Sequence, residues 1–147
     1  MTVLVVLLVS WIVFRLLGGV GVPIFLSWHD SVRYALAVMF LFAAVAHFNR
    51  MKHDLARMIP SFCPQPLVIV TVTGLLEVAG AIGLMLPHHA HRIAAWCLIA
   101  LLAVMFLGNI HAARTGVTLR GKPVTRLWLR TPMQLLFIAL LWWSARP

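Results

Sequence analysis

Acidic residues are scarce in this chain: Asp30, Asp54 and Glu77 stand against 12 lysines and arginines among 147 residues. Charged residues of both signs make up only 10% of the sequence, whereas 63% of it is hydrophobic. A soluble domain of this length has too much surface for its volume to bury so much apolar side chain. The composition therefore excludes a soluble enzyme or binding domain and favours a lipid bilayer as the solvent of the folded chain.

Cysteine is also rare, with Cys63 and Cys97 far apart and in no C-x-x-C spacing, so the sequence carries no thiol redox or cysteine metal motif. The formal net charge of +9 would suggest nucleic acid in a soluble protein. Here the basic residues flank apolar segments and form no stripe on a polar module. We therefore expect anionic lipid headgroups, and not nucleic acid, as the partner of these cations.

The apolar residues fall into five runs separated by short segments that hold most of the charges. Runs of this length predict an all-α, polytopic helical membrane bundle that forms one transmembrane domain over residues 1–147. Between the second and third runs, apolar residues at helical spacing predict a short helix in the membrane interface. The predicted spans are residues 2–26, 31–49, 67–86, 92–113 and 127–145.

The distribution of basic residues predicts the orientation. With five spans, the segments 49–66 and 114–130 lie on one side of the membrane and hold eight of the 12 basic residues. The positive-inside rule then predicts a multi-pass protein of the inner (cytoplasmic) membrane, with its N-terminus in the cytoplasm and its C-terminus outside. The eight residues are Arg50, Lys52, Arg57, Arg114, Arg120, Lys122, Arg126 and Arg130.

The stretch VTVTGLLEVAGAIGLMLP at residues 70–87 contains the only acid within an apolar segment, Glu77, which lies ten residues into the third run. At a rise of about 1.5 Å per residue, Glu77 is expected roughly 15 Å deep in the bilayer. An ionisable residue there costs about 2.5–3.5 kcal/mol or more, so it is expected to face the bundle interior. We expect it to be protonated or paired with a cation such as Arg130 or a histidine. Two interpretations stay open: a buried hydrogen bond that holds helices together, or a proton-relay or ligand site.

Polar residues on three other predicted helices lie about 5–10 Å from the cytoplasmic boundary by the same arithmetic. These residues are His47, Asn109, His111, Arg130 and Gln134. They predict an intramembrane polar pocket that opens toward the cytoplasm, with Glu77 at its floor and Thr73 and Gly80 in its wall. No metal site is predicted, because the histidine and glutamate spacings match no metal-binding pattern.

Several short motifs occur together in the order of a known family. They are Ala46-His47-Phe48, Met58-Ile59-Pro60, Thr73-Gly74-Leu75-Leu76-Glu77 followed by Gly80-Ala81-Ile82-Gly83-Leu84, Asn109-Ile110-His111-Ala112, and Leu129-Arg130-Thr131-Pro132-Met133-Gln134. Over roughly residues 31–145 the chain resembles the DoxX-like membrane proteins. The resemblance implies a four-helix core preceded by one extra N-terminal helix. It also implies a link to redox chemistry, as in a small thiosulfate:quinone oxidoreductase subunit and in membrane partners of oxidative-stress enzymes.

These observations lead us to expect an accessory or quinone-interacting subunit in membrane redox chemistry. Glu77 would exchange protons while the polar layer orients a headgroup, and a redox enzyme or other membrane subunits would be the partner. Quinone suits such a pocket because its carbonyls need hydrogen-bond donors and its ring and tail need apolar walls. A small-solute transporter or permeability protein, and a structural subunit without activity of its own, are the open alternatives. No catalytic residue is predicted, and the sequence leaves open whether the chain is an enzyme.

Overall fold

Six α-helices account for most of the described chain. The structure is a computed structural model that describes residues 2–87, 89–119, 122–123 and 126–146. The helices are α1 (Thr2–Gly19), α2 (Trp28–Phe48), α3 (Lys52–Ala56), α4 (Pro66–Met85), α5 (His89–Thr115) and α6 (Leu127–Ser144), with a 3-10 turn at Pro23–Phe25. Two two-residue strands, β1 (Thr118–Leu119) and β2 (Lys122–Pro123), pair antiparallel between α5 and α6. The predicted all-α class is confirmed.

Four helices, namely α1, α2, α4 and α5, are long and apolar enough to cross a bilayer, which supports the expectation of a membrane protein. Helix α6 coincides with the predicted fifth span but is not among these four. Arg130, Pro132 and Gln134 all fall in its first half and make it less apolar. The first predicted span is shorter than expected, because α1 ends at Gly19. Gly21 then adopts a positive φ of 95°, which ends the helix before Pro23 begins the 3-10 turn.

The core is a closed ring of four helices: α2 packs against α4, α4 against α5, α5 against α6, and α6 against α2. Helix α1 lies outside this ring and packs on α2. Large apolar side chains fill the centre of the ring. Those that are almost completely buried are Leu36, Met39, Phe40, Leu84, Leu98 and Leu141.

Small residues set the distance between α4 and α5. A methyl group on Gly83 would lie 2.7 Å from the Ala94 Cβ, and one on Gly80 would lie 2.5 Å from a Leu98 methyl carbon. Both distances are shorter than van der Waals contact, so these positions accept no side chain unless the helices move. Close backbone approach of this kind is how helices associate in lipid, where no hydrophobic effect draws them together.

One end of the ring, here named the Arg33 end, joins the start of α2 to the last turn of α4. Arg33 is buried and forms an ion pair with Asp30 at 2.6 Å. It also donates a hydrogen bond to the Leu86 carbonyl at 3.2 Å, and the Tyr34 hydroxyl donates to the Met85 carbonyl at 3.3 Å. These donors occupy carbonyls at the negative end of the α4 dipole, where a cation is favourable.

The opposite end, named the α3 end, contains the last turns of α2 and α5 and the first turns of α4 and α6. Helix α2 stops beside Gly74, where a methyl group would lie 2.5 Å from the His47 Cβ. Gly74 is about 12 Å along α4, so α4 extends beyond the end of α2. Helix α3 packs against this extension, and Met58 is buried with its carbonyl oxygen facing Gly108 of α5. The predicted interfacial helix is thus only five residues long and covers the end of the ring.

Gly83→Ala tests the close contact of α4 and α5. We expect a loss of about 1–3 kcal/mol in the free energy of unfolding, because the added methyl group overpacks against Ala94. Unfolding in mixed micelles, followed by tryptophan fluorescence, measures it. Ala94→Gly in the Gly83→Ala background should recover part of the loss. Gly19→Ala is the control, since a methyl group there meets no atom within 4 Å. Equal stability of the Gly83 and Gly19 variants would contradict the proposed contact.

Candidate functional site

The side chain of His47 is fixed by a backbone carbonyl of the neighbouring helix. His47 is the second-last residue of α2, and its Nδ1 lies 2.8 Å from the Val70 carbonyl oxygen of α4. A carbonyl oxygen only accepts hydrogen bonds, so Nδ1 carries a hydrogen. The other ring nitrogen, Nε2, is then free to gain or lose a proton.

Glu77 of α4 lies opposite that nitrogen. Its Oε2 is 3.6 Å from His47 Nε2, and the two side chains are only 5% and 6% exposed. This separation is too long for a hydrogen bond but short enough for strong electrostatic interaction away from water. Among the described residues, Glu77 Oε2 has no hydrogen-bond donor. Of the two kinds of partner expected for Glu77, the structure therefore places a histidine beside it. No ion pair joins Arg130 to Glu77 in the described part.

Thr73, which the sequence places in the wall of the pocket near Glu77, lies beside this pair. Its hydroxyl Oγ1 lies 3.0 Å from the carbonyl oxygens of both Ile69 and Val70, and 3.3 Å from His47 Nδ1. The Val70 carbonyl is thus within hydrogen-bond distance of both the hydroxyl and the imidazole. Gly80 packs directly on Leu98 of α5, and its place in a pocket wall stays a prediction.

A second polar cluster joins α5 to α6. Asn109 Nδ2 donates to Gln134 Oε1 at 3.1 Å, and Gln134 Nε2 donates to the Leu102 carbonyl at 2.5 Å. Gln134 is only 8% exposed, so its amide group makes both bonds largely away from solvent. Hydrogen bonds of this kind hold neighbouring helices together within a membrane.

The remaining two predicted residues stand apart from both clusters. His111 is half-buried in the last turns of α5. Arg130 is half-buried in the first turns of α6, and its Nη1 is buried without a hydrogen-bond partner in the described part of the chain. Four of the six candidates are thus joined in two separate pairs, His47 with Glu77 between α2 and α4 and Asn109 with Gln134 between α5 and α6.

Two cavities lie between the helices of the described part. One, of about 240 Å³, is entirely apolar and lies where α1 meets α2 and α6. The other, of about 210 Å³, lies between α5 and α6. Its lining residues are Ala103, Phe106, Thr131, Gln134, Leu135 and Ile138. His47 and Glu77 line neither of these two cavities. Within the described residues, no three histidine, cysteine or acidic side chains are placed to hold a metal ion.

A double-mutant cycle measures the interaction of His47 with Glu77. We expect His47→Phe and Glu77→Leu each to lower stability by about 1–3 kcal/mol, since each leaves a buried polar group without its partner. The double variant should lose less than the sum, with a coupling of about 0.5–3 kcal/mol. Unfolding in mixed micelles measures all three. His111→Phe replaces His47→Phe in the control cycle and should be additive with Glu77→Leu. Additivity in both cycles would show that the pair contributes no coupling.

A comparison with protein-family models matches residues 36–145 to a domain of unknown function (DUF8561). This match covers the region on which the DoxX-like resemblance rests, and it points to a different family. The DoxX-like prediction is therefore wrong. Its motifs are explained by the structure as helix contacts at Gly74, Gly80 and Gly83 and as polar bonds between helices. No curated protein and no solved structure matches the chain.

Proposed function

The chain belongs to the DUF8561 family, a domain of unknown function, and we propose that it is an integral membrane accessory subunit that holds and passes one proton. The observation that carries this proposal is the sealed pair of His47 Nε2 and Glu77 Oε2, 3.6 Å apart. Because the Val70 carbonyl fixes the hydrogen on Nδ1, only Nε2 and the carboxyl group exchange protons at this site.

The charge balance of the pair favours one exchangeable proton. With that proton on the histidine the pair is an ion pair, and with the proton on Glu77 both groups are neutral. The net charge is zero in both arrangements. A second proton, or the loss of the first, would leave an uncompensated charge in a low-dielectric interior, which is costly. Proton transfer between the two groups is therefore easier than a change in their total charge.

Membrane redox chemistry is the context that we propose for this proton. Reduction of a quinone consumes protons as electrons arrive, so a redox enzyme in the membrane is a partner that would use such a site. Quinone binding by this chain itself stays a prediction. Both side chains of the pair are almost completely buried, so a quinone headgroup would reach them only after a local movement of the helices.

A structural role is the second candidate, and one observation favours it. Gly74 packs directly on the His47 Cβ, so the pair is part of the main contact between α2 and α4. In this case the pair would act as a buried polar link between helices. Transport of a small solute, the remaining alternative from the sequence, would require the bundle to open at the pair.

Infrared difference spectroscopy between acidic and alkaline buffer separates these roles. We expect a carboxyl C=O band that Glu77→Gln removes and whose pH dependence His47→Gln changes, because the two groups share a proton. His53→Gln, a change at an exposed histidine of α3, is the control and should leave the band unaltered. Loss of stability in Glu77→Gln without loss of any band would favour the structural role. Proton flux in liposomes that depends on Glu77 would favour transport.

We also propose five membrane crossings in the inner membrane, with the N-terminus in the cytoplasm. Helix α6 supports this because it completes the ring between α5 and α2 and so runs alongside helices apolar enough to cross. The basic residues counted for the cytoplasmic side belong to the α3 end, apart from Arg120, which lies outside the described residues. The Arg33 end has four: Arg15, Arg33, Arg92 and Arg146.

Thiol labelling tests this orientation. Cys63 lies in the segment between α3 and α4, whereas Cys97 lies within α5 and is removed by Cys97→Ser. A membrane-impermeant maleimide should leave Cys63 unlabelled in intact cells and label it after permeabilisation. The permeabilised sample is the control for reactivity, since Cys63 is half-buried. Labelling from outside in intact cells would reverse the proposed orientation.

A further inference from the structure

We propose that the groove between α5 and α6 binds one anionic phospholipid, with the lipid phosphate on Arg130 and an acyl chain in the groove. This site is separate from the His47–Glu77 pair, and the inference does not depend on the proposed proton function. Three observations support it: an unsatisfied cation, the shape of the groove and the local balance of charge.

The cation is the Arg130 guanidinium. Its Nη1 is buried and has no hydrogen-bond partner among the described residues. Leaving a buried charged donor unpaired is costly, so an acceptor is expected at this position. A phosphate group is the best complement, because guanidinium and phosphate form two parallel, charge-assisted hydrogen bonds.

The groove between α5 and α6 begins at Thr131, the residue that follows Arg130 on α6. Along α6 it is lined by Thr131, Gln134, Leu135 and Ile138, which follow helical spacing and form one stripe about 10 Å long. Arg130 precedes Gln134 by one turn and therefore lies at the α3 end of this stripe. Apart from Thr131 and Gln134 the lining is apolar, and Gln134 already bonds to Asn109 and Leu102. A lipid fits this arrangement, because its anionic headgroup would meet the polar end and its apolar chain would meet the apolar walls.

The charge around Arg130 also favours an anion. Two further cations lie at this end, Arg126 at the start of α6 and Arg114 in the last turn of α5, and the positive end of the α6 dipole lies at Leu127. The acid on the α3 segment, Asp54, forms an ion pair with Arg57, and Glu77 faces His47. A basic pocket between helices at the headgroup level is the arrangement that recognises anionic lipids. A quinone carbonyl could accept a hydrogen bond from Arg130, but a neutral quinone would not balance its charge.

Native mass spectrometry of the full-length protein in mild detergent tests the inference. We titrate phosphatidylglycerol and phosphatidylcholine with equal acyl chains and expect one tightly retained phosphatidylglycerol. Arg130→Gln should weaken its retention about ten- to hundredfold, as loss of a charged hydrogen-bond pair does. Arg50→Gln, which removes an exposed cation at the same end, is the matched control and should change retention little.

Ala103→Phe provides a second variant that leaves Arg130 in place. It fills the groove from the α5 side and should also weaken phosphatidylglycerol, even if Arg130→Gln proves unstable. Equal effects of Arg130→Gln and Arg50→Gln would overturn the proposal in favour of general surface attraction. Equal retention of the two lipids, or displacement of phosphatidylglycerol by a quinone, would overturn it as well.

Discussion

A carboxylic acid inside a bilayer has to be partnered, and this requirement organises the helices around Glu77. Each of the three acids lies beside a basic side chain, but Asp30 and Asp54 meet theirs within short local segments. Glu77 alone is paired between two long helices and away from solvent. Its partner His47 is held by the Val70 carbonyl of the helix that carries Glu77 itself. The pair therefore fixes both the separation and the register of α2 and α4.

That register explains the end of the ring. Because Gly74 has no side chain, the last turn of α2 lies directly against α4, and His47 reaches both Val70 and Glu77. Because α2 ends beside Gly74, the first turns of α4 extend beyond α2. The segment between the two helices has to cover these turns. Met58 does so by packing inward beside Gly108. The short segment around α3 is thus a consequence of where the pair lies.

Much of this arrangement can be predicted from the sequence, and there are physical reasons why the rest cannot. Apolar runs and one unpaired acid predict the helices, the burial of Glu77 and a histidine or arginine partner. Counting residues places the polar candidates in one layer because it starts every helix at the same boundary, whereas α4 extends about 12 Å beyond the end of α2. The carbonyls of Val70 and Leu102 are backbone acceptors, which every residue has and no sequence pattern distinguishes. Short motifs suggested the wrong family for a related reason: glycines and polar residues at helix contacts recur wherever membrane helices pack closely.

The two polar clusters also show why stability and function are difficult to separate in this protein. Lipid chains are as apolar as leucine, so helices in a bilayer associate through close packing and internal hydrogen bonds. Gly74, Gly80 and Gly83 supply the packing on both sides of α4. The His47–Glu77 pair and the Asn109–Gln134 bond supply the polar links on opposite sides of the ring. Each of these polar side chains therefore also links two helices. A substitution of a titratable residue changes the helix contact as well, so it has to be compared with a variant that alters the same contact and leaves the titratable group in place.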